Sequence, residues 1–202
     1  VFDDATYIGT ASYFMAGLVK DVYGKDCYAI RPTFKKPEGF DDDIAKEYIL
    51  LVKGSVEKGL NTIERVALSD PKLKFLSVGG GECEFIDSIP FQHDMERVYE
   101  RAKLLVAPSI GLEGFGRAPV EAMLRDIPVI ASERGGLVES VGEGGVMIAD
   151  YLDPKKWLKA IRRVLVEPAH RKALMKRGQH HAKQFVDIDY VPLFVDILRE
   201  AQ

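Results

Sequence analysis

Cysteine is scarce in this chain, and basic residues are not in excess. The 202 residues include two cysteines, Cys27 and Cys83, which lie in no Cys-x-x-Cys or Cys/His spacing. This pattern favours reduced thiols in a cytosolic compartment over a disulfide framework. Lys and Arg total 28 against 31 Asp and Glu, which gives a net charge of −3. Because binding to a phosphate backbone requires a basic surface, we expect no nucleic-acid partner.

Long apolar runs are also absent. No run approaches the ~20 residues of a membrane-spanning helix, and residues 1–9 (VFDDATYIG) have neither the basic start nor the apolar core of a signal peptide. We therefore expect a soluble, cytoplasmic chain. Its composition, 47% apolar and 29% charged, is that of a globular protein. A chain of this length can fold as one large or two small domains without a disulfide or metal.

The hydrophobic pattern changes near residue 45. Before it, residues 13–22 predict an amphipathic helix that ends at Gly24, residues 28–30 predict a strand, and residues 35–45 read as a linker. After it, strand-like runs alternate with amphipathic helices of about 10 to 15 residues, which predicts a doubly wound parallel sheet of Rossmann-like α/β type, with helices on both faces. The predicted strands are 48–52, 74–78, 104–109 and 127–132, and the predicted helical faces are 60–67 and 95–102.

The last third of the chain is predicted to be helical. Its clearest apolar stripe repeats at i, i+3, i+4, i+7 and i+8, which is typical of a helix face packed on a core. The residues of this stripe are Trp157, Ala160, Ile161, Val164 and Leu165.

The segment most informative about function is residues 112–123 (LEGFGRAPVEAM), directly after the predicted strand 104–109. Ligands of doubly wound sheets bind beyond the carboxyl ends of the strands. Gly114 and Gly116 allow a ligand to approach the backbone, and Pro119 suits the first turn of a helix. We predict a helix N-terminus whose free N–H groups, from about Phe115 to Arg117, suit a diphosphate.

Two carboxylates flank this predicted helix start. Glu113 precedes it, and Glu121 lies about one turn inside, or about 5 Å along the axis. That offset is close to the step from a diphosphate to its ribose, and a carboxylate can accept two hydrogen bonds from a vicinal diol. The alternative is that both are surface residues that complement the helix dipole.

The segment Glu113 to Glu121 resembles the Glu-x7-Glu signature of the retaining glycosyltransferases of family four, which have the GT-B fold. Further segments resemble the family in order and spacing, and together they cover residues 48–149. They are VEKGLNT at 56–62, SVGGGE at 77–82, APS at 107–109, IPVIAS at 127–132, the glycine pair at 135–136 followed by Glu139, and GEGG at 142–145.

The resemblance implies roles for individual residues. Glu121 would hold the donor ribose, and Glu113, the implied catalytic residue, would contact the donor sugar near the reacting centre. Lys58 would neutralise the departing diphosphate. Main-chain N–H groups at 115–117 (Phe115, Gly116 and Arg117) would bind the sugar and diphosphate.

One position departs from the family pattern, which usually has an Arg before the E-K-G turn. Lys53, followed by Gly54, takes that place in the implied donor site, either as a point charge for the diphosphate or as a solvated surface lysine. The resemblance implies no metal and no cofactor apart from the nucleoside diphosphate sugar donor. The four histidines show no ligand spacing.

The resemblance also implies a domain organisation. Residues 1–44 would be the end of an N-terminal acceptor domain with its linker, 45–186 the donor-binding domain, and 187–202 a C-terminal helix that returns toward the missing domain. The implied reaction transfers a sugar, with retention, from a nucleoside diphosphate sugar to a hydroxyl acceptor: a glycan, a lipid-linked or a small molecule. This chain alone would be inactive. Peripheral association of the full-length protein with a membrane is compatible with the resemblance.

Other functions remain as alternatives at this point. They are a non-catalytic nucleotide-sugar-binding module and a GT-B sugar epimerase or phosphorylase. A Rossmann dehydrogenase is suggested only by the glycines at 79–81, but Glu84 stands where the third glycine of G-x-G-x-x-G should be, and Glu82 disfavours a pyrophosphate. The G-x-x-x-x-G-K-[ST] motif of P-loop NTPases is absent from the sequence.

Overall fold

The computed structural model describes residue 5 and residues 7–37, 44–81 and 83–200. Residues 38–43 of the predicted linker, Glu82 of the glycine-rich loop and the last two residues of the predicted C-terminal helix lie outside the described residues. The described chain has two parallel sheets, one of two strands and one of six.

The first, smaller unit contains β1 (Gly9–Thr10), α1 (Tyr13–Tyr23) and β2 (Tyr28–Ala29), with β1 and β2 paired in parallel. Ser12 caps the N-terminus of α1. Gly24 ends the helix in the left-handed conformation, and this stop was predicted from the sequence.

The second unit contains the six-stranded sheet. Its strands are β3 (Tyr48–Val52), β4 (Phe75–Val78), β5 (Asp87–Ile89), β6 (Ala102–Ala107), β7 (Val129–Ser132) and β8 (Val146–Ile148), and its helices are α2 (Leu60–Ser69), α3 (Glu96–Glu100), α4 (Arg117–Met123), α5 (Leu137–Val141), α6 (Pro154–Val166), α7 (Pro168–Ala182) and α8 (Val191–Glu200). Two 3₁₀ turns, Gly142–Gly144 and Lys183–Phe185, follow α5 and α7.

The sheet confirms the predicted fold class. All five strand pairs are parallel, in the order β5-β4-β3-β6-β7-β8. Strand order therefore reverses between β3 and β6, which is the switch point where doubly wound sheets bind ligands. Loops that follow β3 and β6 carry the residues that the sequence assigned to a site.

The core lies on both faces of this sheet. Alternate residues of β3 separate to opposite sides: Ile49 and Leu51 pack with α2 and α6, whereas Leu50 packs toward α4. Both sides are buried, which explains why the strand reads as a continuous apolar run. The stripe on α6 packs into this core as predicted, with Trp157, Ile161 and Val164 fully buried.

Several predicted boundaries were wrong. The helix expected over 95–102 ends at Glu100, and Ala102 begins β6, because the apolar run that follows pairs with β3. The strand expected to reach Ser109 ends at Ala107, before Pro108, which has no N–H for the ladder. No helix within the described ranges is long and apolar enough to cross a bilayer.

Candidate functional site

A cavity of about 510 Å³ lies at the carboxyl ends of β3 and β6. Its volume is in the range of about 300 to 1,000 Å³ that is usual for small-molecule sites. All eight residues assigned from the sequence line it: Lys53, Gly54, Lys58, Glu113, Phe115, Gly116, Arg117 and Glu121. The fold thus brings together residues from the loop after β3, the loop after β6 and the helix α4.

Glu113 is held by two donors. Lys58 Nζ and Ser109 Oγ both donate to its Oε1 atom, the serine at 2.5 Å. The Glu113 side chain is 17% exposed, so the Lys58 ammonium compensates a carboxylate that is largely withdrawn from water. This pair fixes the carboxylate at the wall of the cavity.

The turn that carries Lys58 is attached to the loop after β6. The main-chain carbonyl of Glu57 accepts from the N–H groups of Ile110 and Gly111, at 2.8 and 3.0 Å. Gly59, the N-cap residue of α2, has φ +74°, and a Cβ there would overlap the carbonyl oxygen of Pro108. Glycine is therefore required where this turn meets the loop.

Glu121 lies one turn inside α4, as predicted. The helix begins at Arg117, after Gly116 with φ +88°. Tyr99 Oη donates to Glu121 Oε2 at 2.7 Å, and Arg117 Nη2 lies 3.4 Å from Oε1. Burial and the Glu121 carboxylate both raise the pKa of Tyr99, so that its hydroxyl remains a donor.

A second set of contacts fixes Tyr99. Arg125 lies over its ring, 4.9 Å from the ring centroid, and pairs with Glu96. The same guanidinium donates to the main-chain oxygen of Glu121 at 2.7 Å. Glu121 is thus supported through both its side chain and its backbone.

The loop that carries Glu113 is attached on two sides. The main-chain carbonyl of Glu113 accepts from Gly136 N–H at 2.8 Å, and the carbonyl of Gly114 accepts from Ser12 Oγ at 2.5 Å. Phe115 is 3% exposed and its ring contacts Phe34 and Phe185. The Phe115 side chain therefore anchors the loop, a role that the sequence assignment to its main-chain N–H did not include.

The two remaining cations differ in their surroundings. The guanidinium of Arg117 is mostly exposed and lies over the Phe34 ring, 4.8 Å from its centroid, in addition to its contact with Glu121. Lys53 is exposed, with φ +55°, and its N–H donates to the Val78 carbonyl at 2.7 Å. Gly54 is buried, and a Cβ there would lie 2.5 Å from Ser77 Oγ.

Sequence reasoning missed Tyr99 and Ser109 as site residues. Tyr99 entered only as part of an apolar helix face, and Ser109 only as the end of a strand and of the APS segment, with no role of its own. A signal for Tyr99 was available, because a buried tyrosine hydroxyl usually has a hydrogen-bond partner. The identity of that partner depends on the docking of α3 beside α4, which no local pattern encodes.

The glycines at 79–81 do not form a dinucleotide fingerprint. They follow β4, but the next regular element is β5 and not a helix, whereas the fingerprint requires a helix N-terminus there. Gly81 N–H instead donates to the Gly54 carbonyl at 2.9 Å, so this loop supports the one after β3. Across the described ranges, no three His, Cys, Asp or Glu side chains cluster as metal ligands, and the expectation of no metal stays a prediction.

Replacing Tyr99 with phenylalanine should lower the free energy of unfolding by about 1 to 3 kcal/mol, because a buried hydrogen bond to a carboxylate is lost. Urea denaturation measures this change. Tyr48→Phe is the matched control, since its hydroxyl makes only a 3.5 Å contact to an exposed Arg101. Equal losses in the two variants would show that the Tyr99–Glu121 bond adds nothing.

Comparison with known proteins places this chain in a family. Residues 47–181 match the family model described as "Glycosyl transferases group 1". D-inositol 3-phosphate glycosyltransferase of Saccharomonospora viridis is 30% identical over 134 residues, which cover 65% of this chain and 28% of that protein. The lipopolysaccharide core biosynthesis mannosyltransferase LpcC of Rhizobium leguminosarum bv. viciae is 34% identical over 134 residues, covering 64% of this chain and 36% of that protein. The chain thus spans about a third or less of the length of these relatives.

Solved structures share the fold. HepE of Anabaena, in complex with UDP-glucose, aligns with a TM-score of 0.79 at 20% identity, covering 98% of this chain and 64% of that one. Sucrose-phosphate synthase of Thermosynechococcus elongatus aligns with a TM-score of 0.77 at 21% identity, covering 99% of this chain and 58% of that one. These likenesses agree with the parallel sheet and its flanking helices.

Proposed function

Because this chain belongs to the glycosyl transferases group 1 family, we propose that it is the donor-binding part of a retaining glycosyltransferase of family four. It binds a nucleoside diphosphate sugar, whose sugar passes to a hydroxyl acceptor with retained configuration. The domain boundaries are those expected from the sequence: 1–44, 45–186 and 187–202. An N-terminal acceptor domain binds the acceptor, a glycan, a lipid-linked or a small molecule, and the full-length protein is cytoplasmic.

The observation that carries this proposal is that Glu113 and Glu121 line one cavity, each held by its own donors. Glu121 has two oxygens with about four lone-pair sites. Tyr99 and Arg117 each contact one oxygen. The remaining capacity matches the two hydroxyls of a ribose, so Glu121 binds the ribose of the donor.

Lys58 supplies positive charge at the position of the diphosphate. Its ammonium has three donors, and Glu113 engages one of them. The others are available to phosphate oxygens, where the charge stabilises negative charge that develops as the diphosphate departs. Lys53 and Gly54, directly after β3, also line the cavity and contribute a second cation beside a buried glycine.

Glu113 orients the donor sugar near the reacting centre. Lys58 and Ser109 hold its Oε1 atom, and the fixed loop behind it limits movement. We propose that the bond from the sugar to the diphosphate breaks and that the acceptor oxygen attacks the oxocarbenium-like centre on the same face, while the hydroxyl proton passes to the departing diphosphate oxygen. Main-chain N–H groups of 115–117 bind the sugar and diphosphate.

The HepE structure in complex with UDP-glucose supports a nucleotide-sugar donor for this fold. The test is thermal denaturation of the 202-residue chain with UDP, GDP, ADP or NAD. A ligand at about 100 times its dissociation constant stabilises the fold by ~2.7 kcal/mol, and each kcal/mol raises Tm by about 2 to 4 °C at this size. We expect a shift with one nucleoside diphosphate and none with NAD.

Glu121→Ala should abolish that shift, because the ribose hydroxyls lose the carboxylate that accepts their hydrogen bonds. Glu57→Ala is the matched control: it removes a carboxylate from the same part of the fold, but one that is exposed and does not line the cavity. Retention of the full shift in Glu121→Ala would remove the ribose assignment. A shift with NAD alone, or with no nucleotide, would contradict the donor-binding proposal.

A further inference from the structure

Ser12 connects the smaller unit to the loop that carries Glu113. Its side chain is fully buried, its Oγ donates to the Gly114 carbonyl at 2.5 Å, and the same Oγ accepts from Met15 N–H at 3.1 Å. The two residues are 102 positions apart in the sequence. A serine side chain is short, so this bond forms only where the start of α1 lies directly against the loop.

The Ser12 bond holds a residue whose own side is open. Glycine has the widest backbone freedom of any residue, and a Cβ at this position would meet nothing within 4 Å. On its other side Gly114 is packed, because a Cβ at Gly136 would lie 2.4 Å from the Gly114 carbonyl oxygen. Hydrogen bonds then hold two successive peptide units: Gly136 N–H donates to the Glu113 carbonyl, and Ser12 Oγ donates to the Gly114 carbonyl.

The position of Ser12 is itself fixed by α5. Tyr13 N–H donates to Glu139 Oε2 at 2.8 Å, and Arg31 Nε lies 3.8 Å from Oε1 of the same carboxylate. Ala11 and Pro32 of this segment line the 510 Å³ cavity together with Glu113. The segment before the six-stranded sheet is therefore part of the wall of the site.

We infer that Ser12 is a positioning residue of the donor site: through the Gly114 carbonyl it fixes the backbone that presents Glu113 and the main-chain N–H groups after it. The role of the site rests on the proposed function. The geometry of the loop that carries Glu113 therefore depends on how α1 packs against it, although α1 lies outside the six-stranded sheet.

Hydrogen exchange and nucleotide affinity test this inference in the 202-residue chain. Ser12→Ala removes both bonds of Oγ. Ser12→Gly removes the bond to Gly114 but retains a residue that is nearly as good as serine at a helix N-cap. Thr10→Val is the matched control, because it removes a neighbouring hydrogen bond, Thr10 Oγ1 to the Ser12 carbonyl, without touching the loop.

We expect both Ser12 variants to exchange the amides of 114–116 faster, and to bind the nucleoside diphosphate about fivefold more weakly, as for one net hydrogen bond. Thr10→Val should change neither. Unchanged exchange at 114–116 in Ser12→Gly, or the same increase in Thr10→Val, would overturn the inference. If the unmodified chain binds no nucleotide, the proposed function fails, while the exchange comparison still decides whether Ser12 positions the loop.

Discussion

Replacing Gly59 with alanine is expected to lower the free energy of unfolding by about 2 to 5 kcal/mol. Gly59 has φ +74°, and a left-handed conformation costs a residue with a Cβ about 1 to 2 kcal/mol. The new Cβ would also overlap the main-chain oxygen of Pro108, which cannot rotate away as a side chain could. Overpacking of this kind typically costs about 1 to 3 kcal/mol more.

Gly24→Ala separates these two contributions. Gly24 also has a positive φ, +66°, but a Cβ there would meet nothing within 4 Å. Its substitution should therefore cost only the conformational part, about 1 to 2 kcal/mol. Urea denaturation of both variants measures the difference. Equal losses of unfolding free energy would mean that the loop after β6 moves to accommodate the new Cβ and does not hold the Lys58 turn in place.

The central strands could be predicted because they are buried on both sides. Strands β3, β6 and β7 each contain a continuous apolar run of at least three residues, and the helix start after Gly116 was visible from the glycines and Pro119. Strands β5 and β8 were not predicted. Each has three residues and lies at an edge of the sheet, so neither has a pattern long enough to stand out.

The site shows the same division between local and long-range information. Residues Glu113 to Glu121 are close in sequence, so their spacing on a helix start was predictable. Lys58 was assigned by resemblance, and its contact with Glu113 crosses 55 positions. Ser12 had no signal of its own, because a serine before a helix reads as an N-cap whether or not its hydroxyl also contacts a distant carbonyl.

Changing Glu113 to glutamine should separate binding from transfer in the full-length protein. The glutamine amide oxygen can still accept from Lys58 and Ser109, which hold Oε1 in the structure. Nucleotide affinity should therefore change by less than about threefold, since the position of the side chain is kept.

The rate of transfer in this variant should nevertheless fall by about 100- to 1,000-fold, the loss that is typical when an electrostatic group beside a charged transition state is removed. Measurement of kcat for sugar transfer, beside the dissociation constant of the nucleoside diphosphate, gives both quantities. Glu57→Gln controls for the loss of one negative charge, because Glu57 lies in the Lys58 turn with an exposed side chain. Undiminished transfer in Glu113→Gln would contradict the assignment of Glu113 to the reacting centre, and a loss of affinity as large as the loss of rate would assign it to donor binding instead. Glu121→Ala should show the opposite pattern, with a larger loss of affinity than of rate, because the proposed function assigns its carboxylate to the ribose and not to the bond that breaks.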